Sequence, residues 1–167
     1  TLVLVSATLT TEGSFRHSKE RLGLEEASEV LLGTPFNHLA STLLLMPQDV
    51  PLPDKVGYAE ALGKALATAC LASRGRALVL FTSHAALRQA RDAIMPALTP
   101  HDILVLAQGL DGSPDYLLNR LKTQPRTVLL GTSSFWEGVD VAGEALSLLA
   151  IARLPFAVPT EPVTAAR

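Results

Sequence analysis

The sequence has few of the residues that mark a disulfide-rich or disordered chain. Its single cysteine, Cys70, excludes a disulfide framework and any cluster held by four cysteines within these 167 residues. Aromatic residues make up 5% of the chain and charged residues 18%, and the mean hydropathy is +0.29. This hydropathy excludes a disordered segment, which combines low hydropathy with a high net charge. The low cysteine content indicates a reducing, cytoplasmic setting.

An excess of one charge and long apolar runs are also missing. The 14 Lys and Arg residues against 16 Asp and Glu residues leave a net charge of −2. No overall basic field favours nucleic acid, so any binding of nucleic acid has to depend on locally placed groups. The apolar runs are short, and none approaches the ~20 residues that span a bilayer. We therefore expect no membrane partner.

Signatures of self-contained catalysis are missing as well. The sequence has no Gly-rich phosphate loop ending in Lys-Ser/Thr, no His-Glu-x-x-His zinc motif and no nucleophile elbow. Its four histidines lack metal-ligand spacing, so no metal site is predicted. Because the chain begins on an apolar run, Thr1–Val5, and ends at Arg167 within a predicted helix, we expect it to be a piece of a longer polypeptide.

Short apolar strands alternate with helices along the second half of the chain. The pattern predicts strands at 77–81, 103–106, 127–130 and 146–152, and helices at 58–73, 84–98 and 113–122. The first third is predicted to hold strands at 1–5, 29–32 and 42–46 and a helix at 12–22. Apolar strands separated by helices indicate an α/β fold with a mainly parallel sheet covered on both faces. In such sheets, functional residues lie in loops at the carboxyl ends of the strands.

Local signals refine these elements. Gly75 is predicted to end the helix at 58–73, and Ser113 is predicted to cap the start of the helix at 113–122. Cys70 lies on the apolar face of its helix and is predicted to pack in the core.

Two polar segments follow predicted strands and place hydroxyl groups at their ends. Ser6 and Thr8 either relay hydrogen bonds between a phosphate site and a neighbouring domain or simply cap the end of a strand. Thr82, Ser83 and His84 open a helix, and a helix start with hydroxyl groups binds anions such as a nucleic-acid phosphate. The alternative for this second segment is ordinary N-capping by Ser83.

Two further segments are richer in chemistry. In Gly131–Asp140, the adjacent aromatics Phe135 and Trp136 either stack on a base or pack under their own loop. Glu137 and Asp140 flank Gly138, and these carboxylates either orient a ribose, a metal or a partner arginine or remain solvated. The segment Arg153–Pro162 contains three prolines that fix an extended backbone after a strand.

In this order the segments resemble the second motor domain of the DinG/XPD family of superfamily-2 helicases. Ser6-Ala7-Thr8 is similar to motif III of that family, Phe81-Thr82-Ser83 to motif IV and Ser134–Asp140 to motif V. The stretch 154–162 is similar to the proline-rich segment of bacterial DinG-like members. Gly33–Asn37 and Gln108-Gly109 also fall where the family has a Ser-Pro-Phe turn and a Gln after a strand. The resemblance covers nearly the whole chain.

The resemblance implies a RecA-like three-layer fold, with residues 1–10 as the last strand of a first motor domain and 11–167 as a second one, truncated before motif VI. It implies a parent that is an ATP-dependent helicase moving 5′ to 3′ on single-stranded DNA. ATP and Mg²⁺ would bind between the two motor domains of one polypeptide, and this chain would be inactive alone. An iron–sulfur cluster, where the parent has one, would lie outside this chain.

The resemblance also assigns roles to individual residues. Glu137, Gly138 and Asp140 are expected to face the nucleotide, and Ser6 and Thr8 to couple the two sites. No catalytic residue is expected within the chain. The residues expected to face DNA are Thr82, Ser83, His84, Ser133, Ser134, Phe135, Trp136 and Arg153.

Two alternatives remain at this point. The chain could be the motor-like domain of a DinG-type exonuclease, or a free-standing nucleic-acid-binding module without a motor partner.

Overall fold

The computed structural model describes residues 2–24 and 26–156 of the chain. The chain divides into two compact units, one ending at Leu45 and the other beginning at Met46. The domain boundary expected after Thr10 stays a prediction. Within the described ranges, no helix combines the length and the apolar character needed to cross a membrane.

The first unit holds two short helices, α1 (Arg16–Leu22) and α2 (His38–Ser41). The strands predicted at 1–5, 29–32 and 42–46 are wrong, because no described residue of these segments belongs to a strand. Their apolar side chains are exposed, with Val5 at 89%. A strand requires a hydrogen-bonding neighbour as well as an apolar sequence, and the described residues of this unit provide none for these segments.

The helix predicted at 12–22 begins later, at Arg16. Glu12 and Gly13 have positive φ values of 52° and 77°, and Thr11 and Ser14 exchange backbone hydrogen bonds across them. This tight turn holds the backbone out of the helical conformation until residue 16.

The second unit alternates helices and strands as the sequence predicts, with boundaries shifted by only one or two residues. Its three helices of ten or more residues are α3 (Tyr58–Ala72), α4 (His84–Leu98) and α5 (Pro114–Thr123). Its strands are β1 (Ala77–Leu80), β2 (Leu104–Ala107), β3 (Thr127–Gly131) and β4 (Leu148–Ile151). Short 3₁₀ turns lie at Thr99–His101, Ser133–Phe135 and Gly143–Ala145.

The four strands form one parallel sheet in the order β2-β3-β1-β4, which confirms the predicted α/β class and is consistent with a RecA-like fold. Val79 of β1 is aligned with Leu130 on one side and with Ala150 on the other. After β1, the chain skips one position in the sheet to form β2. It then returns to form β3 in the position between β1 and β2. Because parallel crossovers are right-handed, this reversal of direction places α4 and α5 on opposite faces of the sheet.

Alternate strand residues face two separate cores. Ala77, Val79 and Phe81 pack with α3 and α4, and Cys70 belongs to this core at 0% exposure, which confirms its predicted place. Leu78 packs on the opposite face, together with α5 and residues of the loop that follows β3. Both faces of β1, β2 and β3 are thus covered, as their uninterrupted apolar sequences require, whereas Leu149 and Ile151 leave one face of β4 exposed.

The predicted end of α3 involves two residues. The N–H of Arg74 donates to the carbonyl of Leu71 at 3.0 Å, and the N–H of Gly75 donates to the carbonyl of Cys70 at 2.9 Å, which is the Schellman pattern. Gly75 has φ +78°, and a β-carbon there would lie 2.5 Å from the carbonyl carbon of Arg126. A glycine is therefore required where the turn into β1 passes the start of β3.

Candidate functional site

Three polar loops meet at the carboxyl edge of the sheet. They begin after β1 at Phe81, after β2 at Gln108 and after β3 at Thr132. From the adjacent strands β1 and β3 the chain departs to opposite faces, towards α4 and towards the core that contains α5. Such a switch in direction opens a crevice at the carboxyl ends of the two strands, the usual binding position in open α/β sheets.

The Gln108 side chain joins the loops that follow β2 and β3. Its Oε1 accepts hydrogen bonds from the backbone N–H of Thr132 at 2.7 Å and from the Thr132 hydroxyl at 3.0 Å. Its Nε2 donates to the Ser134 hydroxyl oxygen at 2.6 Å. The Thr132 hydroxyl also lies 3.4 Å from Nε2 of His84, at the start of α4. We call His84, Gln108, Thr132 and Ser134 the edge cluster.

The start of α4 contributes exposed donors to this edge. Ser83 caps the helix, its hydroxyl accepting from the N–H of Ala86 at 3.3 Å, so the predicted N-cap is present. Thr82, Ser83 and His84 are all exposed. The structure thus brings His84 and Ser134, two of the residues expected to face DNA, into one hydrogen-bonded group.

The two adjacent aromatics have different environments. Phe135 is only 3% exposed and packs in the core beneath its own loop, which is the alternative considered for it above, so its ring offers no face to a base. It lies directly on Gly131, where a β-carbon would come within 2.7 Å of the ring. Trp136 is half-buried, and its Nε1 donates to the carbonyl of Phe81 at 3.2 Å. The indole therefore ties the loop after β3 to the end of β1.

The residues expected to face the nucleotide are open to solvent. Glu137, Gly138 and Asp140 are exposed, and Gly138 has φ +73° with nothing within 4 Å of where a β-carbon would lie. The open space beside Gly138 leaves room for a ligand. The role of these residues stays a prediction.

Arg153 lies after β4 and is exposed. The neighbouring Ala152 carbonyl accepts from the Tyr58 hydroxyl at 2.8 Å, which anchors the end of β4 to the start of α3. Burial raises the pKa of Tyr58, and the positive charge of Arg153 opposes that rise. Residues 157–162 of the proline-rich segment lie outside the described residues.

Ser6 and Thr8 belong to the first unit and form a local pair. Their hydroxyl oxygens are 3.3 Å apart, and the N–H of Thr8 donates to the Ser6 hydroxyl at 3.2 Å. Both side chains are exposed. The pair fits the hydrogen-bond relay considered from the sequence, which stays a prediction.

Several residues that organise the edge had no assigned role in the sequence analysis. Thr132 is the first residue after a buried strand, and this position was the available signal. Gln108 matches the Gln that the family has after a strand, but no role was predicted for it. Asp111 accepts from the N–H of Ala107 at 2.8 Å and pairs with Arg91 at 3.6 Å, so it fixes the loop after β2. In the described part of the chain, no three His, Cys, Asp or Glu side chains lie together as a metal-binding set.

The part of the chain that contains this sheet edge matches a known protein family. Residues 66–167 match the model of the helicase C-terminal domain, which is more than half of the chain. The chain belongs to this family. The match covers α4, α5, all four strands and the whole edge cluster, and it confirms the resemblance inferred from the motifs.

Individual proteins of known name are similar to this chain over nearly its whole length. The ATP-dependent DNA helicase YoaA of Haemophilus influenzae is 38% identical over 165 residues, covering 99% of this chain and 25% of that protein. The ATP-dependent helicase DinG of Mycobacterium tuberculosis H37Rv is 40% identical over 173 residues, covering 100% of this chain and 25% of that protein. The 3′-5′ exonuclease DinG of Bacillus subtilis is 36% identical over 172 residues, covering 99% and 18%. This DinG-like helicase C-terminal domain therefore spans about a quarter or less of the length of these relatives.

Proposed function

We propose that this helicase C-terminal domain is the second motor domain of an ATP-dependent DNA helicase that moves 5′ to 3′ on single-stranded DNA. It would form one wall of the ATP cleft and part of the DNA groove, and would be inactive without the first motor domain. The observation that carries the proposal is the carboxyl edge of the sheet, where polar groups that follow β1, β2 and β3 join in one hydrogen-bonded cluster. Two of the relatives described above are named ATP-dependent helicases.

Apart from Arg153, whose contact with DNA stays a prediction, the proposed DNA side consists of neutral hydrogen-bond donors. The exposed Thr82 and Ser83 hydroxyls, the backbone N–H groups that open the 15-residue helix α4 and the Ser133 and Ser134 hydroxyls can all donate to phosphate oxygens. Such contacts follow the backbone without selecting a sequence, which suits a motor that moves along a strand. They also reconcile DNA binding with a net charge of −2.

The proposed nucleotide side uses the exposed carboxylates of Glu137 and Asp140. They flank Gly138, which keeps the backbone accessible, and they suit contacts with a ribose, with Mg²⁺-bound water or with an arginine of the partner domain. Phosphoryl transfer depends mostly on positioning and charge stabilisation. Mg²⁺ and ATP would thus be shared with the first motor domain, and the Ser6–Thr8 pair would relay the nucleotide state.

The test uses the full-length protein that contains this chain. We expect DNA-stimulated ATP hydrolysis, and unwinding of duplexes with a 5′ single-stranded tail in preference to a 3′ tail. Asp140→Asn should lower the DNA-stimulated rate about ten- to a hundredfold, because one charge-assisted hydrogen bond contributes ~1.5–3 kcal/mol. Glu144→Gln, a matched change at an acid of the Gly143–Ala145 turn, is the control and should have no effect.

Other outcomes would support the alternatives. DNA degradation without ATP-dependent unwinding would favour the exonuclease-linked parent, in line with the relative of that name in B. subtilis. DNA binding with neither activity would favour a binding module.

A further inference from the structure

The orientation of the Gln108 amide is fixed by a donor that cannot be reversed. The backbone N–H of Thr132 only donates, so the Gln108 atom 2.7 Å from it has to be the carbonyl oxygen, Oε1. The amide nitrogen, Nε2, then points to the Ser134 hydroxyl oxygen at 2.6 Å. Because an amide nitrogen cannot accept, Ser134 has to be the acceptor in this bond.

The same reasoning settles the proton on Thr132. Oε1 of Gln108 only accepts, so the single hydroxyl proton of Thr132 points to it across 3.0 Å. The contact of 3.4 Å with His84 then uses a lone pair of the Thr132 oxygen, which makes Nε2 of His84 a donor. Every hydrogen bond of the edge cluster therefore has a defined direction.

With donor and acceptor assigned in each of these hydrogen bonds, the Ser134 hydroxyl remains as an unused donor at the surface. The Ser134 oxygen accepts from Gln108 through one lone pair, so its own hydroxyl proton is not used in this bond. Among the described residues, no acceptor lies within bonding distance of that hydroxyl. Ser134 is exposed, in the loop that follows β3. Its hydroxyl is thus held as an outward-facing donor.

We propose that Gln108 is a positioning residue that makes Ser134 a dedicated donor to a backbone phosphate of the nucleic-acid strand. This inference rests on the proposed function and adds a specific residue pair to it. The ligand is a phosphodiester and not the triphosphate of ATP, because the edge cluster contains no Lys or Arg. A neutral donor suits the single charge of a diester, whereas a triphosphate is bound by cationic groups or a metal.

A double-mutant cycle of Gln108→Glu and Ser134→Ala tests the pair in the full-length protein. The carboxylate of the Glu variant still accepts from Thr132, but it also accepts from Ser134 and so turns that proton inward. In the wild-type background Gln108→Glu should weaken binding of a labelled single-stranded oligothymidylate through both this reversal and the added charge. In the Ser134→Ala background only the charge effect remains, and this difference isolates the reversal.

We expect Ser134→Ala alone to weaken binding about three- to tenfold, the range for one hydrogen bond. Gln108→Glu should then cost about three- to tenfold more in the wild-type background than in Ser134→Ala. The charge component alone should shrink with added salt, whereas the difference between backgrounds should persist. The KM for ATP should stay unchanged in all variants.

Gln124→Glu is the matched control, since it adds the same charge at the end of α5 on the opposite edge of the sheet. It should leave DNA affinity unchanged. Equal effects of Gln108→Glu in both backgrounds, or a shift in the KM for ATP without a shift in DNA affinity, would overturn the role of Gln108. If the wild-type protein still unwinds DNA with ATP, either of these two outcomes would leave the proposed function intact. If the wild-type protein does not bind DNA at all, the proposed function itself is refuted.

Discussion

Replacing Gly75 with alanine tests whether the turn between α3 and β1 depends on close backbone approach. The residue has φ +78°, and its α-carbon lies against the strand start at Arg126 and Thr127. A β-carbon would come within 2.5 Å of Arg126 C, 2.7 Å of Arg126 Cα and 2.8 Å of Thr127 N. All three atoms are backbone, so no side-chain rotation can relieve the overlap.

Two costs add at this position. The left-handed backbone costs a residue with a β-carbon about 1–2 kcal/mol. Forcing an extra carbon into a packed site costs about 1–3 kcal/mol more. We therefore expect Gly75→Ala to lower the free energy of unfolding of the domain by about 2–5 kcal/mol, a large part of the 5–15 kcal/mol typical of a folded domain.

Gly57→Ala is the matched control. Gly57 precedes α3 with φ +86° but has nothing within 4 Å of a β-carbon position, so it carries the backbone cost alone. The free energy can be measured in the full-length protein by hydrogen exchange of β1 and β3 peptides at increasing denaturant concentration. Equal losses for the two variants would show that the approach of Gly75 to Arg126 contributes nothing, and the packing argument would fail.

Two further predictions concern buried groups. Phe135→Ala should lower the free energy of unfolding by about 3–5 kcal/mol because the ring fills the core under the loop after β3; weaker DNA binding with unchanged stability in denaturant would contradict this placement. Burial raises the pKa of Cys70 to about 11 from its ordinary 9.0, so native protein should resist iodoacetamide at pH 8, as followed by peptide mass spectrometry. The folded state holds this proton more tightly, so the stability it contributes is full below pH 9.0 and is lost as pH rises towards about 11, and Cys70→Ala should remove that part of the pH dependence.

The second unit could be predicted well because its signals are local. Apolar runs of four or five residues define β1 and β3, and Ser83 and Ser113 mark helix starts by accepting from the N–H groups three residues later. Each such signal acts within one helical turn or one strand. No distant part of the chain is needed to interpret it.

The first unit could not be predicted in the same way. The runs around Val5 and Leu44 have the composition of strands but lie exposed. Whether an apolar run becomes a strand depends on a neighbouring strand that supplies hydrogen bonds, and composition says nothing about that neighbour. The environment of Phe135 could not be predicted for a related reason. Two adjacent aromatic side chains point in different directions, but the sequence does not say which of them enters the core.

The edge cluster could be predicted only in part, because strand order is not written in the local sequence. Gln108 and Thr132 are 24 residues apart and share two hydrogen bonds because β2 and β3 are neighbours, whereas Thr132 reaches His84 only because β3 inserts between β1 and β2. Had the strands followed chain order, β2 would separate β1 from β3, and His84 could not contact Thr132. The reversal that places α4 and α5 on opposite faces therefore also brings the loops of motifs IV and V together, so the topology that covers the sheet and the geometry that would hold a DNA strand have one physical origin.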